Sequence, residues 1–189
     1  MKLEQLAEIS VGVNVTRIKQ TAYESRLLYS NDDLLNDLSM GIRIKEIEQI
    51  SADTRNTEKF IISEGDILYS FVSSKVAIAS KESEGKVLNQ NFAKLDLKFK
   101  EINPRYLCYS LNESKCVEKQ MGVLMQGSVA PKMTPAILRQ VEIEILPKKQ
   151  QQRIGDYYFY VLRKKSLVLQ ELELQQKVYY EILERMNKE

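Results

Sequence analysis

The sequence predicts an α+β protein: a sheet-rich domain over residues 1–147, followed by a long coiled-coil-like helix over residues 148–189. Three observations carry this expectation. Short apolar runs bounded by turn residues fill the first part, proline-marked helix starts interrupt them twice, and proline is absent from Lys148 onward. With 189 residues, 43% hydrophobic and 29% charged, the chain has room for one core and one appended element.

Taken in order, Ile42-Arg43-Ile44-Lys45 alternates between apolar and polar, as a half-buried strand does. Phe60-Ile61-Ile62, Ile67-Leu68-Tyr69 and Val76-Ala77-Ile78-Ala79 are continuous apolar runs, which suits interior strands. Gly65-Asp66 and Glu84-Gly85-Lys86 are the turns between runs. Ala93-Lys94-Leu95-Asp96-Leu97-Lys98-Phe99 alternates again, as does Val141-Glu142-Ile143-Glu144-Ile145. Asn103-Pro104 offers an N-cap with proline at the first helical position, where a missing N–H costs nothing. Leu107, Cys108 and Leu111 then share one face. Thr134-Pro135 repeats the signal ahead of Ile137 and Leu138.

From Lys148 to about Asn187 only Gly155 interrupts a helical pattern, giving a helix about 55–60 Å long at ~1.5 Å per residue. One seam advances in alternating steps of four and three: Ile154, Tyr158, Val161, Lys165, Val168, Leu172, Gln175, Tyr179, Ile182 and Met186. That is the spacing of a helix that pairs with another helix. Lys165 and Gln175 are polar interruptions of the kind that fix register. The alternative is a face that packs on its own domain, but so long a helix overshoots a small domain.

Composition narrows the chemistry. Lys and Arg number 28 against 26 Asp and Glu, a net charge of +2, so a nucleic-acid surface must come from a local concentration of cations. The two cysteines, Cys108 and Cys116, are too few and too close for a disulfide framework and are read as reduced thiols. The start, Met1-Lys2-Leu3-Glu4, has no apolar signal segment, and no apolar run approaches the roughly 18 residues that span a bilayer. The expectation is a soluble cytoplasmic protein without a membrane partner.

There is no histidine, which removes the usual serine and cysteine triads, His-ligated zinc and His general bases. No glycine-rich phosphate loop is present. Asn103-Pro104-Arg105-Tyr106 resembles the Asn-Pro-Pro-aromatic tetrapeptide of adenine-N6 methyltransferases, but its third residue is arginine and the cofactor loop is missing. Asp66 with Glu84-Gly85-Lys86 resembles the Asp…Glu-x-Lys metal site of nucleases, yet both pieces sit at turn signals. The reading is therefore non-catalytic, with no cofactor and no metal site. A metal-dependent nuclease remains as a minor alternative.

In their order and spacing, several segments resemble a type I restriction-modification specificity subunit. They are Leu3-Glu4-Gln5-Leu6-Ala7-Glu8-Ile9 with Gly12, Gly65-Asp66-Ile67-Leu68, Leu88-Asn89-Gln90-Asn91-Phe92-Ala93 and Asn103-Pro104-Arg105-Tyr106-Leu107. Then follow Gln126-Gly127-Ser128 with Pro131-Lys132-Met133-Thr134, Ile143-Glu144-Ile145-Leu146-Pro147, and Gln151-Gln152-Arg153-Ile154. The resemblance implies a non-catalytic subunit that reads double-stranded DNA for a partner methyltransferase (modification) subunit and for a restriction subunit. Full-length members carry two target-recognition domains and two antiparallel spacer helices. This chain resembles a half-length form with one of each, so a homodimer, or pairing with another specificity half-subunit, would restore the architecture and read a split site. Alternatives in the same setting are an adaptor that touches no DNA and a silent or truncated cassette.

Base edges are read by Arg, Asn, Gln and small hydroxyls, and phosphates are held by Lys and Arg. On that basis the candidate DNA contacts are Arg17 and Lys19 in the polar run after Gly12, and Arg55 and Asn56 in Thr54-Arg55-Asn56-Thr57. Ser74 and Lys75 follow between two apolar runs, and Gln126, Ser128 and Lys132 lie in the Gly/Pro loop. Asn89, Gln90 and Asn91 are open to either a base or the sheet edge. The tyrosines of the helix (Tyr157, Tyr158, Tyr160, Tyr179 and Tyr180) are read as packing residues.

Overall fold

The computed structural model describes residues 1–14, 25–38, 49–51, 58–125 and 132–188. A four-stranded antiparallel sheet in the order β1-β6-β4-β5 joins β1 (Ala7–Val11), β4 (Ile67–Ser70), β5 (Val76–Ile78) and β6 (Phe92–Leu97). The register sets Ile9 opposite Leu95, Leu68 opposite Lys94 and Leu68 opposite Ala77. A small second sheet pairs β2 (Ser25–Leu27) with β3 (Gln49–Ser51). Six helices accompany them among the described residues: α1 (Leu3–Leu6), α2 (Asn31–Asp37), α3 (Pro104–Glu113), α4 (Lys115–Met125), α5 (Pro135–Gln140) and α6 (Lys148–Met186).

The α+β expectation holds, and β4, β5 and β6 lie on the runs that suggested them. Asn103 caps α3 by accepting from the Arg105 and Tyr106 amides, and the Thr134 hydroxyl caps α5 at Ile137 N. Two runs fare differently. Phe60-Ile61-Ile62 is a 3-10 turn (Glu58–Phe60) and a single bridge from Ile61 to Val87, not an interior strand. Val141–Ile145 keeps its alternation, with Val141 and Ile143 buried, but forms no strand. A single bridge at Lys2 and Glu142 ties it to the N-terminus, through Leu3 N to Val141 O, Ile143 N to Met1 O and the Met1 ammonium to Ile143 O, because α1 begins at Leu3 and takes the chain out of ladder geometry. The Ile42–Lys45 alternation falls outside the described residues.

The core is built from Leu3, Leu6, Leu34, Leu68, Tyr69, Phe92, Leu95, Leu107, Leu138 and Ile143, and α6 adds Tyr158 and Leu162. The 39 residues of α6 span about 58 Å at ~1.5 Å per residue. Gly155 does not break this helix. It is where α6 comes closest to α3, since a Cβ there would lie 2.7 Å from the Tyr106 amide nitrogen. Successive inward positions Gln151, Gly155, Tyr158, Leu162 and Ser166 are buried, and beyond Ser166 every described residue of α6 is exposed.

Candidate nucleic-acid interface

One end of the sheet carries the exit of β1 and the β4–β5 turn, the latter with Ser74 and Lys75. Leaving β1, Gly12 passes so close to the backbone of Leu88 and Asn89 that a Cβ would lie 2.3 Å from the Asn89 carbonyl oxygen. Gly12 N then donates to Phe92 O and Val13 N to Leu88 O, which sets Val13 in a bridge with Asn89. Next to it lies the β4–β5 turn. The Ser70 hydroxyl accepts from the Val72 and Ser73 amides and donates to Asn31 Oδ1, Phe71 N donates to Asn91 O, and Ser74 adopts φ +53°. A left-handed residue without glycine costs roughly 1 kcal/mol, so the surrounding bonds define this turn closely.

Lys75 leaves that turn in a particular direction. Its ammonium donates to Asn112 O at 3.0 Å and meets Glu113 at 3.3 Å, which ties the turn to the end of α3. Asn112 in turn satisfies the open edge of β5 like a short strand: Val76 N donates to its Oδ1, and its Nδ2 donates to Val76 O and to the Tyr158 hydroxyl. Lys132 is exposed just ahead of the Thr134 cap. Arg17, Lys19, Arg55, Asn56, Gln126 and Ser128 lie outside the described residues.

Below the turn, α2 is fixed by its carboxylates. Asp37 accepts from the Tyr29 hydroxyl at 2.7 Å, from Ser83 Oγ and from Ser80 N, while Asp33 takes Lys86 Nζ at 2.7 Å and caps its own helix through Ser30. Burial first, then the neighbouring Asp37 charge, pushes the Tyr29 phenol far above its ordinary range, so it stays a neutral donor. Asp33 and Lys86 are 4% and 13% exposed, which makes this pair an internal clamp rather than a surface contact. Between Tyr29–Asp32, Val72, Asn89, Asn91 and Phe92 lies an open cleft of about 320 Å³, with no Lys or Arg among the described residues of its lining.

Two residues of the minor nuclease reading, Asp66 and Lys86, are engaged elsewhere, while Glu84 is exposed. Asp66 pairs with Lys94 at 2.9 Å and accepts from Ser63 N, and Lys86 is held by Asp33. Among the described residues no cluster of three or more metal-ligating side chains occurs. The Asn103-Pro104 pair serves as the start of α3.

The second surface is α6. Gln151, 1% exposed, locks its first turn: Oε1 accepts from Asn103 N at 2.9 Å, and Nε2 donates to Leu146 O at 2.7 Å and Glu101 O at 3.2 Å. Arg105 bridges to Asp156 at 2.7 Å and lies over the Phe159 ring. Of the expected seam, Tyr158 is buried at the edge of this contact, with its hydroxyl bonded to Asn112, and Ile154 is half-buried. Val161, Val168, Leu172, Gln175, Tyr179 and Ile182 are exposed. At ~100° per residue their stripe lies roughly a third of a turn from the face that meets the domain. Leu167, Leu174 and Val178 add a second exposed apolar stripe beside it. An open groove of about 920 Å³, lined by Tyr109, Pro147, Ile154, Tyr157, Tyr158 and Val161 with Lys149 and Arg153 at its rim, continues the seam toward the domain.

Sequence reasoning missed Gln151 as a structural lock, and Asn112 altogether. Gln151 was noticed only as part of a run, and no periodicity marks a buried amide that pairs with backbone.

Among solved structures, the HsdS subunit from Thermoanaerobacter tengcongensis superposes with a TM-score of 0.61 at 16% identity, over 97% of this chain and 46% of that chain. The S subunit of a type I restriction-modification system from M. genitalium gives a TM-score of 0.47 at 15% identity, over 83% and 37%. The chain thus spans less than half the length of either. None of the curated proteins matches. No described helix is long and apolar enough to cross a membrane. Residues 28–178, from the polar cleft through most of α6, match the family model of the Type I restriction modification DNA specificity domain. The chain belongs to that family.

Proposed function

We propose that this chain is a non-catalytic DNA-reading specificity component, with residues 1–147 as the target-recognition domain and 148–189 as a spacer and pairing helix. The observation that carries the reading is the family match over 28–178, which takes in the sheet-end cleft and most of α6 together. Its partners are double-stranded DNA, a methyltransferase (modification) subunit and a restriction subunit.

An antiparallel pair of α6 helices about a twofold axis is the assembly that the surface supports best. The first half of α6 carries Lys148, Lys149, Arg153, Arg163, Lys164 and Lys165 against a single Asp156, whereas the stretch from Glu171 to Glu184 carries Glu171, Glu173, Glu181 and Glu184 against Lys177. Antiparallel pairing sets the basic start of one helix against the acidic end of the other, and parallel pairing sets like against like. It also brings the apolar end of the partner's helix to the groove at Ile154 and Val161. Because the exposed apolar residues cover more than the single stripe one neighbouring helix needs, the second stripe at Leu167, Leu174 and Val178 suits the modification subunit.

Retention of a randomised duplex pool by the full chain purified with its modification subunit tests the reading. Retention with a recoverable sequence preference supports it. A stable protein complex that holds no DNA would favour the adaptor alternative.

A further inference from the structure

Resting on that DNA-reading proposal, we infer that the cleft at the sheet end reads one A·T base pair, with Asn91 and Val72 as the specificity-determining side chains. The cleft is open, and its lining contains Asn31, Asp32, Val72, Asn89, Asn91 and Phe92 and, among the described residues, no cation. The lining offers Asp32, whose carboxylate repels phosphate and can accept from exocyclic amino groups. Among the described residues, Lys75 is held by the end of α3 and Lys86 by Asp33. The chemistry left to the cleft is that of a base edge.

Within it the side chains divide into those that are fixed and those that are available. Asn89 is consumed by the fold: its Nδ2 donates to Tyr29 O at 3.3 Å and its Oδ1 accepts from Asn91 N at 2.9 Å. It is a positioning residue, holding the backbone of Asn91. Asn31 gives its Oδ1 to Ser70. The Asn91 carboxamide is exposed and enters no hydrogen bond among the described residues, although its backbone is pinned by Asn89 and by the bond from Phe71 N to Asn91 O. In the same lining, Val72 is 65% exposed on a turn whose backbone is equally fixed. A free carboxamide, donor and acceptor together, matches N7 and the N6 amino group of adenine, and exposed valine methyls match the thymine methyl on the other strand. Two side chains of this kind, on rigid turns and lining one cleft, suit major-groove readout of a single A·T pair.

The test is selection from a randomised duplex library by the full chain with its modification subunit, for wild type, Asn91→Ala, Asn91→Asp and Val72→Ser. Wild type is expected to return a motif containing adenine at one position that Asn91→Ala relaxes by about 10- to 100-fold, with the remaining positions unchanged. Asn91→Asp, now an acceptor only, is expected to shift the preference there toward cytosine, an outcome that a merely structural role would not produce. Val72→Ser is expected to weaken discrimination at the same base pair. A clear wild-type motif returned unaltered by all three variants overturns the inference and leaves the DNA-reading proposal standing. Absence of any motif for wild type overturns both. Unchanged thermal unfolding confirms that the variants are folded, which the exposure of Asn91 and Val72 leads one to expect.

Discussion

Gln151→Ala should detach the start of α6 from the domain, and the structure sets the size of the effect. The side chain is 1% exposed and makes three hydrogen bonds to backbone groups of two different segments. Glu101 O, at 3.2 Å and on an exposed residue, can turn to water at little cost. Asn103 N and Leu146 O, bonded at 2.9 and 2.7 Å, lose partners in a packed junction. Two orphaned backbone groups at ~1–3 kcal/mol each give a destabilisation of about 2–5 kcal/mol. For a domain of this size that lowers Tm by about 4–20 °C. The exposed neighbour Gln152→Ala should stay within about 0.5 kcal/mol of wild type. Urea unfolding of both variants measures the difference. A Gln151→Ala protein as stable as Gln152→Ala would refute the claim that this amide locks the helix.

Other outcomes follow from the same geometry. Gly12→Ala forces a Cβ to within 2.3 Å of the Asn89 carbonyl, a backbone atom that cannot step aside, and should cost about 2–3 kcal/mol or more in thermal unfolding, with loss of the Val13–Asn89 bridge. Val168→Asp with Leu172→Asp alters side chains 54% and 51% exposed, so the fold should keep its stability while light scattering shows the dimer dissociating; a double variant that stays dimeric would reject this seam. Stability should fall above about pH 9. Burial raises the Cys108 thiol and the Tyr29 and Tyr158 phenols and pushes Tyr69 up to about 12. The folded state therefore keeps protons that the unfolded chain loses at ordinary values of 9.0 and 10.0, and stability drops as pH rises through those values. By about pH 10.5 the loss should reach roughly 2–4 kcal/mol, and a flat profile in urea would contradict the burial of these groups.

What could be read in advance was whatever depends on period and local chemistry. Alternation found β6, apolar runs found β4 and β5, and Asn103-Pro104 and Thr134-Pro135 found the starts of α3 and α5. The helix α2 was missed although Ser30 and Asp33 form a reciprocal cap, because its apolar face is short and its carboxylates belong to long-range bonds with Lys86 and Ser83. For α4 the only cue was the pair Val117 and Met121 one turn apart. Tyr158 fitted the pairing seam by spacing, yet it is buried against its own domain, with its hydroxyl bonded to Asn112, 46 residues away. Lys75 illustrates the same limit at the interface. Sequence placed it on a turn, where the structure also has it, but only the fold brings Asn112 O and Glu113 to its ammonium.

The central claim is that this chain reads DNA for a methyltransferase as a twofold pair. Methylome sequencing of a host that carries the modification subunit, with and without this chain, tests it most directly. The account predicts a new methylated motif that is split and palindromic, two copies of one half-site separated by the reach of the paired helices. No new motif, with both proteins expressed and associated, would contradict DNA reading, and an asymmetric motif would contradict the twofold pair.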